Sequence, residues 1–497
     1  MAVEKLLECG VRVTSVTCDG PPVQLAAMRL LGAIITPGKP VMTRILSDLD
    51  CPPIFFILDA VHCVKLIRNS WFSCKVFLNA NGEKIEWRYI VMLVDMQDRE
   101  ELRSANKLTK AHVNFQNSKM KVHLAVQIFS RSVATSLRFC REVLKLTEFA
   151  DSKATEEFIL HINGLFDLCN SRLRKKYRIF GPMSPNTKTL WFPFLSLISD
   201  YLLGLKTQEG AKIVFTQKKT GFFGMVCNVH SLEQIFSINV ENGDLSFLST
   251  YKFSQDFLEH FFGLMRVKFG CTNNPNLVSL PGIYRKILAG ITDIVIRGSN
   301  VGLQDEAEMV GVTPSLNTKV EVIASKFEIN DDIYYDNLLD LSLYKNNVVE
   351  YMSGYVIRRA IAQLNCDECI RVLKTKPHKH MSLISLRDYG EKLFYPSDFA
   401  NKVMVLSEKI VSFELKGNVL SKKFSFDKIV LRIVSDFVNC NASLIRELDE
   451  HGYALCKKLV LIYVCIRMKH HARMTNIQMK NNNLRSKLNR ICVNKKL

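Results

Sequence analysis

Acidic side chains are the residues of this sequence whose types and spacing could support catalysis. Asp19 follows the strand-like run 11–17, and Asp59 follows the short apolar run 54–58. Open α/β sheets bind ligands at the carboxyl ends of their strands, so both carboxylates stand where a ligand would bind. The competing interpretation gives them local roles, in which Asp19 opens an Asp-Gly turn and Asp59 caps the helix that follows.

A second pair of acids lies on a predicted helix later in the chain. Ser254 is suited to cap this helix, and the spacing of Asp256 and Glu259 puts both side chains on one side of it. Phosphoryl transfer to nucleic acid uses two Mg²⁺ ions about 4 Å apart, whose oxygen ligands come from separated segments. The carboxylates are compatible with this chemistry, and the sequence has no Walker loop, GxSxG elbow or HExxH motif that would indicate another.

Cysteine and histidine residues that suit zinc occur together in one stretch. Cys366 and Cys369 form a CxxC pair, and His378 and His380 follow them. Thiolate and imidazole ligands suit Zn²⁺, although the distance between the two pairs and the HxH spacing are unusual for a zinc knuckle. The competing interpretation is two buried thiols on a helix, followed by a basic loop.

The composition favours a globular protein that binds a polyanion. The chain has 497 residues, of which 47% are hydrophobic and 23% charged, which is enough for two to four domains and excludes a disordered protein. The formal net charge of +19 and the pI of 9.3 favour nucleic acid as a partner. The 15 cysteines are scattered, as expected of reduced thiols in the cytosol or nucleus. The apolar run at 459–466 is far shorter than the ~20 residues of a membrane span.

Helical periodicity dominates the middle of the chain. Residues 119–146 and 155–172 repeat apolar residues at helical spacing. On the second helix, Asp167 and Asn170 lie on the face away from the apolar stripe, for which a solvated polar face is the simplest interpretation. Residues 212–249 have shorter apolar runs, which predict β-like structure.

Charge distinguishes the segments of the later part of the chain. Residues 301–350 hold ten acids against three lysines, a composition that predicts a linker or weakly ordered joint. Residues 351–466 return to helical patterning, and residues 467–497 hold nine Lys or Arg and no acid. A solvated basic tail is the simpler interpretation of this last stretch, and a contact with a phosphate backbone would look the same.

Separated blocks of the sequence resemble the P element-like DNA transposases, a family that includes THAP-domain animal homologues. The blocks follow the family's order, and in the second of them Ala60 and Val61 replace the usual residues. The blocks are GVRVTSVTCDG at 10–20, LDAVHCVKLIRN at 58–69, ANKLTKAH at 105–112, LFDLCNS at 165–171 and LSTYKFSQDFLEHFFG at 248–263.

The resemblance implies an α/β plus all-α fold. It implies a partial RNase H-like catalytic domain, interrupted by a helical GTP-binding insertion domain and followed by a mostly helical C-terminal domain. The implied boundaries are 1–72 for the first RNase H-like part, 73–244 for the insertion, 245–300 for the RNase H-like part with the catalytic Glu helix, 301–350 for the acidic linker and 351–497 for the C-terminal domain with its basic tail.

The resemblance also assigns roles to single acids. It implies that Asp19 and Glu259 are catalytic and bind Mg²⁺. Asp59 matches a motif position to which the resemblance gives no catalytic role.

The same resemblance predicts where a bound GTP would lie. It implies that Asp167 and Asn170 face the guanine, because a carboxylate can accept the N1–H and N2–H₂ hydrogen bonds of that base. Lys107 and Lys110 are candidates for phosphate contacts, and Asp256 is a candidate for an approach to the nucleotide.

The family places its first catalytic Asp on a strand ahead of the helix at which this sequence starts. The resemblance therefore implies that one of three metal-binding carboxylates and the THAP zinc finger are absent, and that the chain does not cut DNA on its own. It implies transposon-end DNA as the partner, a homo-oligomer and a nuclear location, without membrane association. The alternative is a domesticated protein that binds DNA or a partner chain without enzymatic activity. A GTPase is disfavoured, since nothing obvious activates water.

Overall fold

The computed structural model describes residues 2–46, 53–172, 181–268, 278, 280–289, 340–378, 380–390, 392–416, 426–441 and 451–472. The chain divides into two compact units. The first contains most of residues 1–322, and the second contains most of residues 323–497 together with 97–104 and 142–145.

Helices dominate both units. In chain order the α-helices are α1 Ala2–Glu8, α2 Pro22–Leu30, α3 Ala60–Cys74, α4 Arg88–Arg99, α5 Lys110–Val113, α6 Val122–Ile128, α7 Arg131–Arg138, α8 Lys153–Cys169, α9 Lys188–Gly204, α10 Lys219–Phe236, α11 Asp256–Lys268, α12 Leu280–Ala289, α13 Leu343–Ile361, α14 Asp367–Leu373, α15 Leu383–Arg387, α16 Asp398–Lys416 and α17 Phe426–Cys440. A further helix covers residues 451–472.

The strands are short. They are β1 Ser15–Cys18, β2 Arg44–Ile45, β3 Ile54–Leu58, β4 Val76–Leu78, β5 Lys84–Glu86, β6 Lys206–Thr207, β7 Lys374–Thr375 and β8 Tyr395–Pro396. They form sheets of order β1-β3-β2, β5-β4-β6 and β7-β8.

The first sheet positions the candidate catalytic acids. Its central strand β3 is buried at all five residues, which confirms the strand predicted at 54–58. Strand β1 runs parallel to β3, with Cys18 opposite Leu58, whereas β2 is antiparallel. The backbone N–H of Asp59 donates to the carbonyl of Cys18 at 2.9 Å. Because parallel strands end at the same edge, the residues after β1 and β3 lie side by side.

The prediction of β-like structure at 212–249 is wrong, because α10 occupies the centre of this segment. Its glycines allow it to approach α3 closely. A Cβ at Gly221 would lie 2.9 Å from the carbonyl oxygen of Cys63, and one at Gly224 would lie 3.0 Å from the Cys63 sulfur. The sequence GFFG at 221–224 was part of the pattern that predicted β-like structure, but its two glycines serve helix packing.

Helix α10 also completes the hydrogen bonding of β3. The side chain of Asn228 accepts from the backbone N–H of Leu58 at 2.8 Å and donates to the carbonyl of the same residue at 2.7 Å. Ser231 donates to the carbonyl of Phe56 at 2.6 Å. These buried side chains satisfy backbone groups where β2 has already ended. The predicted insertion boundary at residue 244 therefore lies beyond a helix that packs on the first sheet.

Aromatic rings fill the core between α3 and α8. The ring of Trp71 lies 5.0 Å from that of Trp87 and 5.2 Å from that of Phe158, both edge to face. Arg68 is fully buried in the same region, where it donates to the carbonyl of Lys119 at 2.8 Å and stacks 3.7 Å over the ring of Phe115. Burial lowers the pKa of Arg68 to about 10. Arg68, from the sequence block at 58–69, therefore has a structural role in the core.

Helical packing in the second unit surrounds a buried ion pair. Glu408 of α16 is fully buried, and Arg467 donates to both of its oxygens at 2.7 and 2.9 Å. The hydroxyl of Tyr463 donates to the same carboxylate at 2.7 Å. These bonds fix the helix at 451–472 against α16. Among the described residues, no helix combines the length and apolar composition that crossing a bilayer requires.

Two charge-based predictions fall largely outside the described residues. Of the acidic linker predicted at 301–350, residues 301–339 lie outside them, and α13 begins at Leu343, so the predicted linker extends too far. Ser342 caps this helix by accepting from the N–H of Lys345. Of the basic stretch at 467–497, residues 473–497 also lie outside the described part.

Candidate active site

Asp19 follows β1 and faces α3. Its Oδ1 lies 3.8 Å from Nδ1 of His62, on the first turn of that helix. Gly20 comes next with φ of +84°, and a Cβ there would collide with the side chain of Leu58. This left-handed conformation favours glycine. The carboxylate therefore lies at the strand end, whereas residues 19–21 form no regular turn.

Asp59 has the local role that the competing interpretation gave it. It caps α3 by accepting from the backbone N–H groups of Val61 and His62 at 3.3 and 3.2 Å. Its side chain is almost fully buried, and burial raises its pKa to about 6, with smaller increases from the charges of Asp19 and Asp256. Asp59 therefore positions α3 and adds to the negative potential of the site.

Helix α11 brings Glu259 to the same site. Ser254 accepts from the backbone N–H of Asp256 at 3.4 Å, as expected of a residue that starts a helix. Gln255 donates to the carbonyl of Thr17 at 3.3 Å and so joins α11 to β1. The predicted helix with its two acids is confirmed.

The charges of the site act on Glu259. Burial raises its pKa most, and the charges of Asp256 and Asp19 raise it further, whereas Lys65 and His260 lower it. The charges of Asp19 and Glu259 thus interact electrostatically, although the two residues come from distant parts of the sequence. Lys65 lies on the same face of α3 as His62. The sequence alone did not indicate that it belongs to the candidate site.

The donor set suits a hard divalent cation. Like-charged carboxylates raise one another's pKa because each disfavours ionisation of the next, and a bound cation removes this penalty. Within the described residues, Asp19 and Glu259 do not belong to a group of three donors whose ligand atoms lie within 4.8 Å of one another. Mg²⁺ commonly takes one or two protein carboxylates and keeps several waters, which fits such an open arrangement.

The two candidates for guanine recognition, Asp167 and Asn170, lie at the end of α8. Asp167 accepts from Nδ2 of Asn163 at 3.1 Å, and Asn170 is the residue that ends the helix. The next residue, Ser171, donates its backbone N–H to the hydroxyl of Thr250 at 3.0 Å. That hydroxyl donates in turn to the carbonyl of Leu168. The end of α8 is therefore bound to the segment that leads into α11.

A charged contact continues this connection. Arg172 lies 3.9 Å from the carboxylate of Asp256 and 4.9 Å from the ring centre of Tyr251. Asp256 thus stands between the end of α8 and Glu259. The structure places Lys107 just before α5 and Lys110 as its first residue, with both side chains exposed.

The four candidate zinc ligands fall into two groups. Cys366 and Cys369 meet His451, and His378 and His380 meet Glu350. The sequence stretch that contains the cysteines and histidines does not bring them to one point, because the histidines follow β7 in a separate loop. His451 was not predicted, since nothing in its sequence neighbourhood indicates a ligand.

Family models match three segments of the chain. Residues 61–181 match the TNP-like GTP-binding insertion domain, and residues 251–285 match the TNP-like RNase H C-terminal domain. Residues 340–473 match the C-terminal domain of DNA transposase THAP9. The predicted fold class, with its insertion and helical C-terminal domain, is confirmed.

Whole-chain relatives agree with these matches. DNA transposase THAP9 of Homo sapiens is 25% identical over 96% of this chain and 57% of its own length. The Transposable element P transposase of Drosophila melanogaster is 26% identical over 62% of this chain and 40% of its own length. This chain therefore spans little more than half of the first relative and less than half of the second.

A solved structure has the same fold over much of the chain. It is a Drosophila P element transposase strand transfer complex, with a TM-score of 0.50 and 26% identity, covering 59% of this chain and 63% of the matched one. The resemblance seen in the sequence blocks is confirmed. The chain is homologous to the human THAP9 and Drosophila P element transposases.

Proposed function

We propose, from its homology to DNA transposase THAP9 and to the P element transposase, that this chain carries a metal-binding nuclease site and a nucleotide-binding region of a DNA transposase. Its partner is DNA at transposon ends, and the reaction class to which its site belongs is hydrolysis and transesterification of phosphodiesters. We expect this chain on its own to bind DNA without cutting it. The net charge of +19 supports a polyanionic substrate.

One observation supports the nuclease part most directly. Burial raises the pKa of Glu259 most, and the charges of Asp256 and Asp19 raise it further, so residues that lie far apart in sequence contribute to one acidic site. The parallel ends of β1 and β3 and the bond from Gln255 to Thr17 account for this proximity.

Separate roles follow for the acids of the site. Asp19 and Glu259 would hold Mg²⁺, an ion that in this reaction class would activate the attacking oxygen and stabilise the leaving one. Asp59 holds the start of α3 and with it His62, whose imidazole orients the carboxylate of Asp19. Lys65 limits the repulsion at Glu259.

Metal binding tests this assignment without requiring turnover. Mn²⁺ binding to the whole chain is measured by electron paramagnetic resonance. We expect Asp19→Asn and Glu259→Gln each to weaken it at least about tenfold, because loss of even an outer group of a metal site costs 10- to 100-fold. Asp244→Asn is the control, since this exposed acid pairs with Arg12 instead. Equal Mn²⁺ affinity in all four proteins would contradict the proposal.

DNA nicking separates an enzyme from a binding protein. We expect DNA binding without nicking in Mg²⁺ or Mn²⁺. Nicking of transposon-end duplexes that disappears in Glu259→Gln would identify an active nuclease and overturn the expected inactivity.

For the nucleotide, we propose that GTP binds at the carboxyl end of α8. Asp167 and Asn170 face the guanine, Lys107 and Lys110 contact the phosphates, and Asp256 approaches the nucleotide from α11. The match of residues 61–181 to a GTP-binding insertion domain supports this location. The hydrogen bonds between Ser171 and Thr250 would then link nucleotide binding to the segment before Glu259.

Nucleotide preference is the corresponding test. In calorimetric titrations we expect GTP to bind more tightly than ATP, and Asp167→Ala to abolish this difference because the carboxylate that reads N1–H and N2–H₂ is lost. Glu157→Ala, an exposed acid on the same helix, should leave the difference unchanged. Equal GTP and ATP affinity in the unaltered chain would contradict the nucleotide assignment and leave the metal test standing.

We also propose a nuclear location and assembly as a homo-oligomer, which fit a protein that joins two DNA ends. Light scattering with and without end DNA tests the assembly, and a monomer in both conditions would contradict it.

A further inference from the structure

The two thiols of the CxxC motif face a histidine from a distant helix. Cys366 precedes α14 and Cys369 lies in its first turn, whereas His451 lies at the start of the helix at 451–472. Nδ1 of His451 lies 3.5 Å from Sγ of Cys366 and 3.3 Å from Sγ of Cys369. We propose that Cys366, Cys369 and His451 bind one Zn²⁺ ion.

Both sulfur-to-nitrogen distances are close to those of a zinc tetrahedron, and all three ligand atoms lie within 4.8 Å of one another. Zn–S bonds of about 2.3 Å and Zn–N bonds of about 2.05 Å, at tetrahedral angles, separate sulfur from nitrogen by about 3.6 Å. The two S···N distances, 3.5 and 3.3 Å, are within a few tenths of an ångström of this value. A zinc ion therefore fits between the three atoms after only a small movement.

Hydrogen bonding alone explains the arrangement less well. A neutral imidazole nitrogen has one in-plane lone pair and can accept a proton from one thiol at a time. Here both sulfurs approach the same nitrogen at nearly equal distance. A cation between them, with the thiols deprotonated, satisfies all three atoms at once.

The chemistry of the donors selects zinc. Two thiolates and one imidazole are the ligand types of structural zinc sites, whereas Mg²⁺ and Ca²⁺ prefer oxygen. Within the described residues no fourth Cys, His, Asp or Glu ligand atom lies within 4.8 Å of these three, and a water completes the tetrahedron. The ion would fasten α14 to the helix at 451–472, elements that lie far apart in sequence.

The second group, at Glu350, is not part of this proposal. Nε2 of His378 lies 2.7 Å from the Glu350 carboxylate, an ordinary hydrogen bond that needs no metal. The stacked rings of His378 and His380 have their centres 3.6 Å apart. These two histidines therefore serve as controls for the zinc site.

Zinc content of the purified whole chain tests the proposal. We expect about one zinc per chain by elemental analysis, as for a structural site. Cys366→Ser, Cys369→Ser and His451→Gln should each remove it. Cys440→Ser, which alters an exposed thiol, and His378→Gln should retain it.

Cobalt substitution provides a second measurement, which reports on the ligands directly. After zinc is removed by a chelator, Co²⁺ added to the unaltered chain should give sulfur-to-metal charge-transfer and tetrahedral visible bands. Loss of these bands in His451→Gln, with retention in His378→Gln, supports the three-residue site.

Two results would overturn the proposal. One is a chain that holds no zinc and gives no cobalt spectrum, with Cys366 and Cys369 joined in a disulfide by mass spectrometry. The other is zinc that survives in Cys369→Ser and is lost in His378→Gln.

Discussion

Asp59 both stabilises the fold, as the cap of α3, and destabilises it, as a buried charge. It caps α3 through two backbone N–H groups while lying almost fully buried beside other acids. Burial and the charges of Asp19 and Asp256 raise its pKa from 3.8 to about 6. The folded protein therefore binds this proton more tightly than the unfolded chain does.

Asp59→Asn should stabilise the metal-free protein at neutral pH. Proton uptake by Asp59 stabilises the fold fully below about pH 4, and this contribution is lost as the pH rises through about 6. An asparagine keeps a cap and carries no charge, so it avoids a cost of up to about 3 kcal/mol for a two-unit shift. Denaturant unfolding in EDTA at pH 4 and pH 8 measures the difference.

The stability gain should be large at pH 8 and nearly absent at pH 4. Asp151→Asn, at an exposed acid, should show no such pH dependence. A variant that loses stability equally at both pH values would mean that the charged cap outweighs the burial.

Packing between α3 and α10 depends on the absence of side chains at two glycines. A Cβ at Gly221 would lie 2.9 Å from the backbone carbonyl of Cys63 and from Cβ of Leu66. One of these atoms is a backbone atom of α3 and the other is a Cβ, so neither can move away by rotation of a side chain.

Gly221→Ala should destabilise the protein by about 1–3 kcal/mol, the usual cost of overpacking. Gly282→Ala is the matched control, because this glycine is also helical and a Cβ there meets nothing within 4 Å. The control should gain about 0.5–1 kcal/mol from helix propensity. Equal effects in thermal unfolding would show that α10 does not approach α3 this closely.

Elements with a regular pattern could be predicted, and those shaped by a neighbour could not. The apolar run of β3 and the acids of α11 have local signals, so both were identified. Helix α10 was missed because its glycines, which suit close packing, interrupt the periodicity. His451 was missed because its role depends on a contact with a distant CxxC pair.

Site residues divide in the same way. Asp19 and Glu259 were proposed as metal ligands from the resemblance of their blocks and stay a prediction, whereas the competing roles proposed for Asp59 could not be separated without the fold. Lys65 had no signal of its own, because a buried lysine on an amphipathic helix looks like any polar residue until the acids beside it are known.

At the scale of the whole molecule, net charge should govern DNA affinity. With a charge of +19, binding should be led by contacts with phosphates, each of which releases counterions. We expect affinity for a random duplex to fall about 10³-fold or more between 50 and 200 mM salt, as for proteins that make six to ten such contacts. Fluorescence anisotropy measures the slope.

Glu259→Gln should keep this slope, because it changes one charge at the metal site and none of the cations. Affinity that is indifferent to salt would contradict the electrostatic basis of DNA binding, whatever the outcome of the nicking experiment.

The bonds from Asn228 and Ser231 to β3 limit how the gene can be shortened. Joining residue 72 directly to residue 245 would remove α10. The backbone N–H and carbonyl of Leu58 would then lose their hydrogen-bond partners in an apolar interior, which would cost about 1–3 kcal/mol of stability for each group. The same deletion would expose to solvent the face of α3 that α10 covers. A shortened chain that lacks the segment matching the GTP-binding insertion domain must therefore resume before Lys219, so the stretch that can be removed is shorter than the insertion of 73–244 that the sequence implied.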